Sequence, residues 1–285
     1  MTPFGPYTLH AIETGRFGLD GGAMFGIVPK ALWSRRIEPD AQNRILMGMR
    51  CLLIEGEGRL ILVDAGLGDK YDAKFASIYA VDQEETNLHR SLAAAGFSAD
   101  DVTDLVLTHL HFDHCGGATT RDAEGRLGLT FPEATVHVQR AHWDWAQRSN
   151  PREKASFLAE NLEPIGASGQ LNLIDGAGEL FPGISVTTVD GHTHAQQLVH
   201  VSGGGRTLVY VADLIPTAVH IPPVWGMSYD IDPLRTISEK ETFLSEAAQN
   251  DWQLFFEHDA SVEVVSLEQS DRGIRGIYPR PLHEV

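Results

Sequence analysis

The stretch "LVLTHLHFDHCGG", residues 105–117, places His109, His111, Asp113 and His114 within six positions, directly after a short apolar run. Imidazole nitrogens and carboxylate oxygens are the donors that zinc-like divalent cations prefer. If the chain leaves a strand near Thr108 and turns, the four side chains converge on one place. Two neighbouring cations would then divide them, His109 and His111 on one, Asp113 and His114 on the other. Water held between two such cations has its pKa drawn from about 15.7 towards 7, which makes it a nucleophile without help from a serine or cysteine. In this reading Asp113 is the catalytic residue: it ligates, orients the bridging hydroxide and later passes a proton to the leaving group. A solvated histidine-rich loop is the bland alternative, and it leaves buried imidazoles in search of hydrogen-bond partners. Gly116 and Gly117 read as the tight backbone from which a helix starts.

The elements around this stretch must position it. Residues 49–66, "MRCLLIEGEGRLILVDAG", read as two strands about a Glu-Gly-Glu-Gly turn, the second ending at Asp64. Residues 82–98 predict a helix stopped by Gly96. Short strands follow at 105–108 and 134–139, then a helix from Ala141 and another over 152–163. Strands are expected at 171–174, 184–190, 198–203 and 207–213, with Gly203-Gly204-Gly205 turning the last pair. An amphipathic helix over 233–249, with Pro233 in its first turn, leads to a strand that ends near His258. Hairpins mixed with helices predict an α+β chain of two sheets covered by helices. One domain over residues 1–285 is the simpler organisation. Residues 1–48 form its irregular, aromatic and glycine-rich N-terminal extension, with a lid or an oligomer contact as its two candidate roles.

Composition bounds the partners. The 285 residues carry 22 Lys and Arg against 39 Asp and Glu, a net charge of −17. Such a surface repels phosphate backbones, so nucleic acid is not an expected partner. Only Cys51 and Cys115 are present, too few for a disulfide scaffold. Both read as packing residues. No apolar run reaches membrane-spanning length and no signal sequence is evident, which predicts a soluble cytoplasmic protein without a membrane partner.

The His-x-His-x-Asp-His pattern resembles the signature of the metallo-β-lactamase-fold hydrolases. That resemblance implies a four-layer αββα sandwich with a metal site at one edge of two facing sheets. It also implies roles for residues further along. Asp64 in "LVDAGLG" would brace the metal loops from behind. His192 in "VDGHTHAQQ" would be a third ligand, Asp213 in "VYVADLI" the bridging carboxylate, and His258 in "LFFEHD" the last ligand. These motifs appear in the family's order over about residues 50–260. The implied cofactor is a pair of divalent metal ions, zinc first, with iron, manganese and cobalt as alternatives. Two departures stand out. Where many members continue with Pro-Gly-His, this chain has His194-Ala195-Gln196, and His194 becomes a residue behind the ligands or facing substrate. Where acyl-homoserine lactonases place a tyrosine three residues after the bridging aspartate, Pro216 stands.

The expected function is dinuclear hydrolysis of a small, apolar ester or lactone. Phe25, Trp33, Trp225, Met227 and Tyr229, on two irregular segments, are the candidate substrate residues. Packing on the sheets or a homodimer contact is the other use of those side chains. Phosphotriesterase, β-lactamase and thioesterase chemistry are alternatives at the same site. A mononuclear iron dioxygenase of the same fold is an alternative of another class, separable by metal analysis and oxygen uptake. A binding protein with a dead site would show a broken ligand set, and here every ligand position is filled.

Overall fold

The computed structural model describes residues 2–148, 150–271 and 273–285. Strands β1 (Thr2–Phe4), β2 (Tyr7–Asp20), β3 (Arg44–Gly56), β4 (Arg59–Val63) and β5 (Asp104–Val106) open the first sheet. After a side hairpin of β6 (Thr119–Arg121) and β7 (Leu127–Leu129), β8 (Thr135–Gln139) and β9 (Leu171–Ile174) complete it. The second sheet runs in chain order through β10 (Gly178–Phe181), β11 (Ile184–Val189), β12 (Gln196–Gly203), β13 (Arg206–Tyr210), β14 (Gln253–Phe255), β15 (Val264–Ser270) and β16 (Gly273–Arg280). The helices are α1 (Gly21–Phe25), α2 (Lys30–Trp33), α3 (Ala73–Ile78), α4 (Leu88–Ala95), α5 (Phe112–Cys115), α6 (Arg140–Gln147), α7 (Ala159–Ala167) and α8 (Pro233–Gln249). None of the described helices is long and apolar enough to cross a membrane.

Strand alternation builds the layers. Successive residues of a strand face opposite sides, so Leu52 and Ile54 of β3 point one way and Leu53 the other. Leu52, Ile54, Val63 and Val106 meet Val199, Val201, Tyr210 and Phe255 of the second sheet in the central core. Leu53, Leu62, Leu105 and Val136 pack outward against Leu92 of α4, Ala146 of α6 and Ile165 of α7. On the far side Leu198, Val209 and Leu254 pack against Phe243, Leu244 and Ala247 of α8. The result is an α+β sandwich of helix, sheet, sheet and helix. Asn87 caps α4 by accepting from Arg90 N, and Gly96 ends it at φ 95°, the left-handed conformation glycine adopts freely.

Most neighbours are antiparallel, but β4–β5, β5–β8, β8–β9 and β13–β14 are parallel. Parallel neighbours need crossovers, and α8 is one of them. In such sheets ligands bind beyond the carboxyl ends of the strands. Asp64, His109, His192, Asp213 and His258 all follow strand ends, those of β4, β5, β11, β13 and β14.

Several expectations need correction. Residues 2–20 are not irregular: β2 pairs with β3 along its length, with a register shift between Glu13 and Arg16. Glycines at 15 and 18 and burial on both faces hid its alternation from the sequence. Irregular chain with the short helices α1 and α2 is confined to about residues 21–43. Residues 152–157 form turns rather than helix, and α7 starts only at Ala159. Asn150 Oδ1 accepts from the backbone of Arg152 and Glu153, and the Glu153 side chain turns inward. The strands β15 and β16 carry weak apolar patterns: β15 buries only Val264 and Val265, and β16 buries none of its residues.

Gly116 and Gly117 start no α-helix; after α5 they form, with Ala118, a single 3-10 turn. Their role is close approach. A Cβ on Gly117 would stand 2.1 Å from Ala65 O, and one on Gly116 would stand 2.1 Å from Leu67 O. The reason is that the 64–67 and 114–117 segments are zipped together by Ala65 N to His114 O and Gly117 N to Gly66 O, both 2.8 Å. Gly117→Ala should therefore cost on the order of 1–3 kcal/mol by overpacking. Gly128→Ala, with nothing within 4 Å of the new methyl, should stay within about 0.5 kcal/mol of wild type. Urea unfolding midpoints of the two variants check this.

Candidate metal centre

Four of the five histidines of the cluster have one ring nitrogen on a protein acceptor. Thr108 Oγ1 donates to Asp64 Oδ2 (2.7 Å) and so offers lone pairs to His109 Nδ1–H at 3.1 Å. His114 Nδ1 lies 3.1 Å from Asp64 Oδ2 and 2.8 Å from Glu257 Oε2. His192 Nδ1 is 3.1 Å from Asp230 Oδ1, and His258 Nδ1 donates to Gly48 O at 2.9 Å. His111 is turned the other way, its Nε2 facing Glu153 Oε1 across 3.6 Å. These acceptors place the protons on the outer nitrogens and leave lone pairs pointing inward.

The inner nitrogens stand close together. His109 Nε2 is 3.0 Å and His192 Nε2 is 3.2 Å from His111 Nδ1. His258 Nε2 is 3.1 Å from His114 Nε2. Two ligands about 2.0–2.1 Å from one tetrahedral cation stand roughly 3.3 Å apart by trigonometry, so these spacings suit a shared ion. Asp213 lies between the groups. Its Oδ2 is 3.2 Å from His192 Nε2, 3.5 Å from His114 Nε2 and 3.9 Å from His109 Nε2. Its Oδ1 is 3.4 Å from His258 Nε2 and has no hydrogen-bond partner among the described residues. Asp113 Oδ2 sits 3.7 Å from His258 Nε2 and 4.0 Å from His114 Nε2. The donors thus form two sets, His109, His111, His192 and Asp213 in one, Asp113, His114 and His258 in the other. All seven side chains are buried. Facing lone pairs and an unpartnered carboxylate oxygen suit two divalent cations.

The electrostatics agree. Burial, then the surrounding imidazoles, hold His109 well below its ordinary pKa, and burial lowers His111. Burial also works against charge on His114, but Glu257, Asp113 and Asp213 outweigh it and raise His114 well above the usual range. His192 is raised in the same way by Asp213 and Asp230. Burial alone would raise Asp213, yet His192, His114 and His258 bring it well below the carboxylate range. The carboxylates therefore create a demand for positive charge that protons and cations compete to meet.

Several of these partners were not read from the sequence. Glu257 directly precedes His258 at the end of an apolar strand, and that adjacency was its signal. Asp230 and Glu153 sit in irregular chain and carried none. His142 shares the buried face of α6 with Ala146, the one-turn spacing that could have marked it. Asp64 lies behind the cluster, at φ 57°, with Oδ1 accepting from Thr108 N at 2.7 Å. His194 is not in the cluster. Its ring is partly exposed and bound to Asp190 Oδ1 at 2.7 Å. Burial pushes the Cys115 thiol up to about 12, and its Sγ–H points to Leu110 O, so Cys115 is no nucleophile here.

A cavity of about 290 Å³ opens onto His111, Asp113, His192, Asp213 and His258. Leu19, Met24, Tyr79, Phe112, Met227 and Tyr229 supply its apolar and aromatic lining, and Arg152 and Ser156 also line it. Of the five substrate candidates only Met227 and Tyr229 reach it. Phe25 and Trp33 are fully buried and stack on each other at 5.3 Å, while His220 covers the other side of Phe25 at 4.6 Å. Trp225 packs edge-on against Phe25 and lines a different depression. These three aromatics back the wall rather than form it. Lys240 fixes that wall from behind: its buried ammonium donates to the carbonyls of His220, Pro222 and Trp225.

Residues 50–258 match the family described as the metallo-beta-lactamase superfamily. Among solved structures, a probable metal-dependent hydrolase from Staphylococcus aureus is similar at TM-score 0.89 and 29% identity, over 99% of this chain and 100% of that one. AidC, a dizinc quorum-quenching lactonase in complex with a product, superposes at TM-score 0.80 and 25% identity over 98% and 96% of the two chains. An N-acyl homoserine lactonase of Bacillus sp is 27% identical over 172 residues, 56% of this chain and 62% of that protein. The chain thus matches less than two thirds of that lactonase's length.

Removing one donor should disable the set it belongs to. His109→Ala is expected to lower bound divalent metal from two ions per chain to one or none, and Asp213→Ala, which contacts both sets, to empty the site. Elemental analysis of purified variants beside wild type checks both.

Proposed function

The chain belongs to the metallo-beta-lactamase superfamily, and from that premise we propose that it is a dizinc hydrolase of small, apolar lactones or esters. The observation that carries this reading is the orientation of the imidazoles: His109, His114, His192 and His258 each have the outer nitrogen on an acceptor, and all five, His111 included, aim the inner nitrogen at a shared centre. His109, His111 and His192 would hold one zinc ion, Asp113, His114 and His258 the other, and Asp213 both. When bound, the two ions supply water made acidic enough to attack at neutral pH and polarisation of a carbonyl oxygen.

The chain's own residues do the rest. Asp113 lines the cavity, so its carboxylate can take a proton from the attacking water and return it to the departing oxygen. The new bond joins water oxygen to the carbonyl carbon, the bond to the alkoxy oxygen breaks, and the proton ends on that oxygen. Leu19, Met24, Phe112 and Met227 exclude water and favour a neutral acyl chain. Pro216 offers no phenol, but Tyr79 and Tyr229 bring theirs to the cavity from other segments. Tyr229 is the candidate to orient a carbonyl, since its surroundings include both Asp113 and Asp213, whereas those of Tyr79 include Asp113 alone. The likeness to lactonases at 25–27% identity supports the lactone class. A mononuclear iron dioxygenase is disfavoured by the complete second donor set.

The test is a panel of acyl lactones, aryl esters, phosphotriesters, β-lactams and thioesters on protein of known metal content, with oxygen uptake measured in parallel. Lactones and aryl esters should be turned over fastest and a strong chelator should abolish turnover. Chelator-resistant activity, or oxygen consumption without hydrolysis, contradicts the reading. Tyr229→Phe should lower kcat several-fold, on the scale of one lost hydrogen bond of about 1 kcal/mol, with metal content unchanged.

A further inference from the structure

The donors of the first set come from two different sheets. His109 and His111 follow β5 of the first, and His192 follows β11 of the second. Two buried side chains from α6 and the turn after it span the gap. His142 is 0% exposed. Its Nε2 accepts from Leu110 N at 2.9 Å and its Nδ1–H donates to His194 O at 2.6 Å. Glu153 is 3% exposed. Its Oε1 accepts from Thr193 Oγ1 at 2.5 Å and faces His111 Nε2 across 3.6 Å. That nitrogen is buried and has no hydrogen-bond partner among the described residues. His142 therefore hydrogen-bonds the 109–111 loop to a neighbour of His192, and Glu153, bonded to Thr193 beside His192, sets its carboxylate against the outer nitrogen of His111.

Glu153 is itself held. Its Oε2 accepts from Trp145 Nε1 at 2.8 Å and Asn150 Nδ2 at 2.6 Å, so all its partners are donors. The second donor set is oriented by other groups, Asp64 and Glu257 behind His114 and Gly48 O behind His258.

We infer that His142 and Glu153 are positioning residues forming a clamp that fixes the spacing of the His109, His111 and His192 nitrogens and does not act on the other set. The inference rests on the metal reading above. Residues that orient ligands from behind typically contribute 10–100-fold to metal affinity, and here that contribution falls on one ion of the two. Thr193→Val removes one donor to Glu153 without exposing a charge. Glu153→Gln keeps the side-chain shape but cannot accept from every donor around it. His142→Gln keeps an oxygen able to accept from Leu110 N and loses the link to His194 O.

The experiment strips the full-length protein with a chelator and titrates it with zinc against a chromophoric competitor. Wild type should show two sites. Glu153→Gln and Thr193→Val should weaken one site by about 10–100-fold and leave the other within about twofold. His142→Ala should do the same, with His142→Gln recovering part of the loss. The effect of Glu153→Gln should persist in a His258→Ala background, which keeps the first set, and vanish in a His192→Ala background, which keeps the second. Equal weakening of both sites, or two unchanged affinities, overturns the clamp and leaves the metal reading standing. Wild type that binds no zinc overturns both.

Discussion

Imidazole lone pairs repel one another, and here they are aimed at one another. The acceptors behind His109, His114, His192 and His258 fix the protons on the outward nitrogens. The inward nitrogens then approach within 3.0–3.2 Å. Such a buried arrangement is unfavourable unless positive charge lies among the nitrogens, and Asp113 and Asp213 beside them sharpen the demand. Most of the structure near the site can be understood as holding side chains in positions they would not take alone.

Both sheets serve that constraint. The core between them aligns the ends of β4, β5, β11, β13 and β14, so loops distant in sequence open on one crevice. Direct links then hold the loops across the sheets. Arg50, on β3, donates to the carbonyls of Phe256 and Asp259 and is paired with Glu13, which pins the loop carrying His258. Gln197 donates from its backbone to Thr108 O and from its side chain to Leu107 O, which joins β12 to the strand end before His109. His142 and Glu153 complete the pattern on the other side. The tight packing of Gly116 and Gly117 against residues 65–67 follows from the same need to seat Asp64 behind His114.

The legible part of this design is local. His109 to His114 declare themselves because ligand-type residues crowd a strand end, and α8 declares itself through periodicity and its N-terminal proline. β2 did not, because a strand buried on both faces and broken by glycine has neither alternation nor a clean apolar run. Glu153 and Asp230 were invisible for a different reason: an acid's role behind a histidine depends on a contact made across 38 to 42 positions of chain, and nothing in its own neighbourhood encodes that. The aromatics misled in the opposite direction. Phe25, Trp33 and Trp225 are large and lie on irregular segments, which suggested a substrate wall, yet they pack on one another and leave Met24, Met227 and Tyr229 to face the cavity.

The central claim is that the inward nitrogens are cation ligands and not partners of one another. Anomalous diffraction from crystals of protein grown and purified with zinc tests it most directly. The account predicts two peaks, each about 2.0–2.2 Å from its donors, one at His109 Nε2, His111 Nδ1 and His192 Nε2, the other at His114 Nε2, His258 Nε2 and Asp113, with Asp213 reaching both. No peak at this cluster, or a peak on the outward nitrogens, would contradict it.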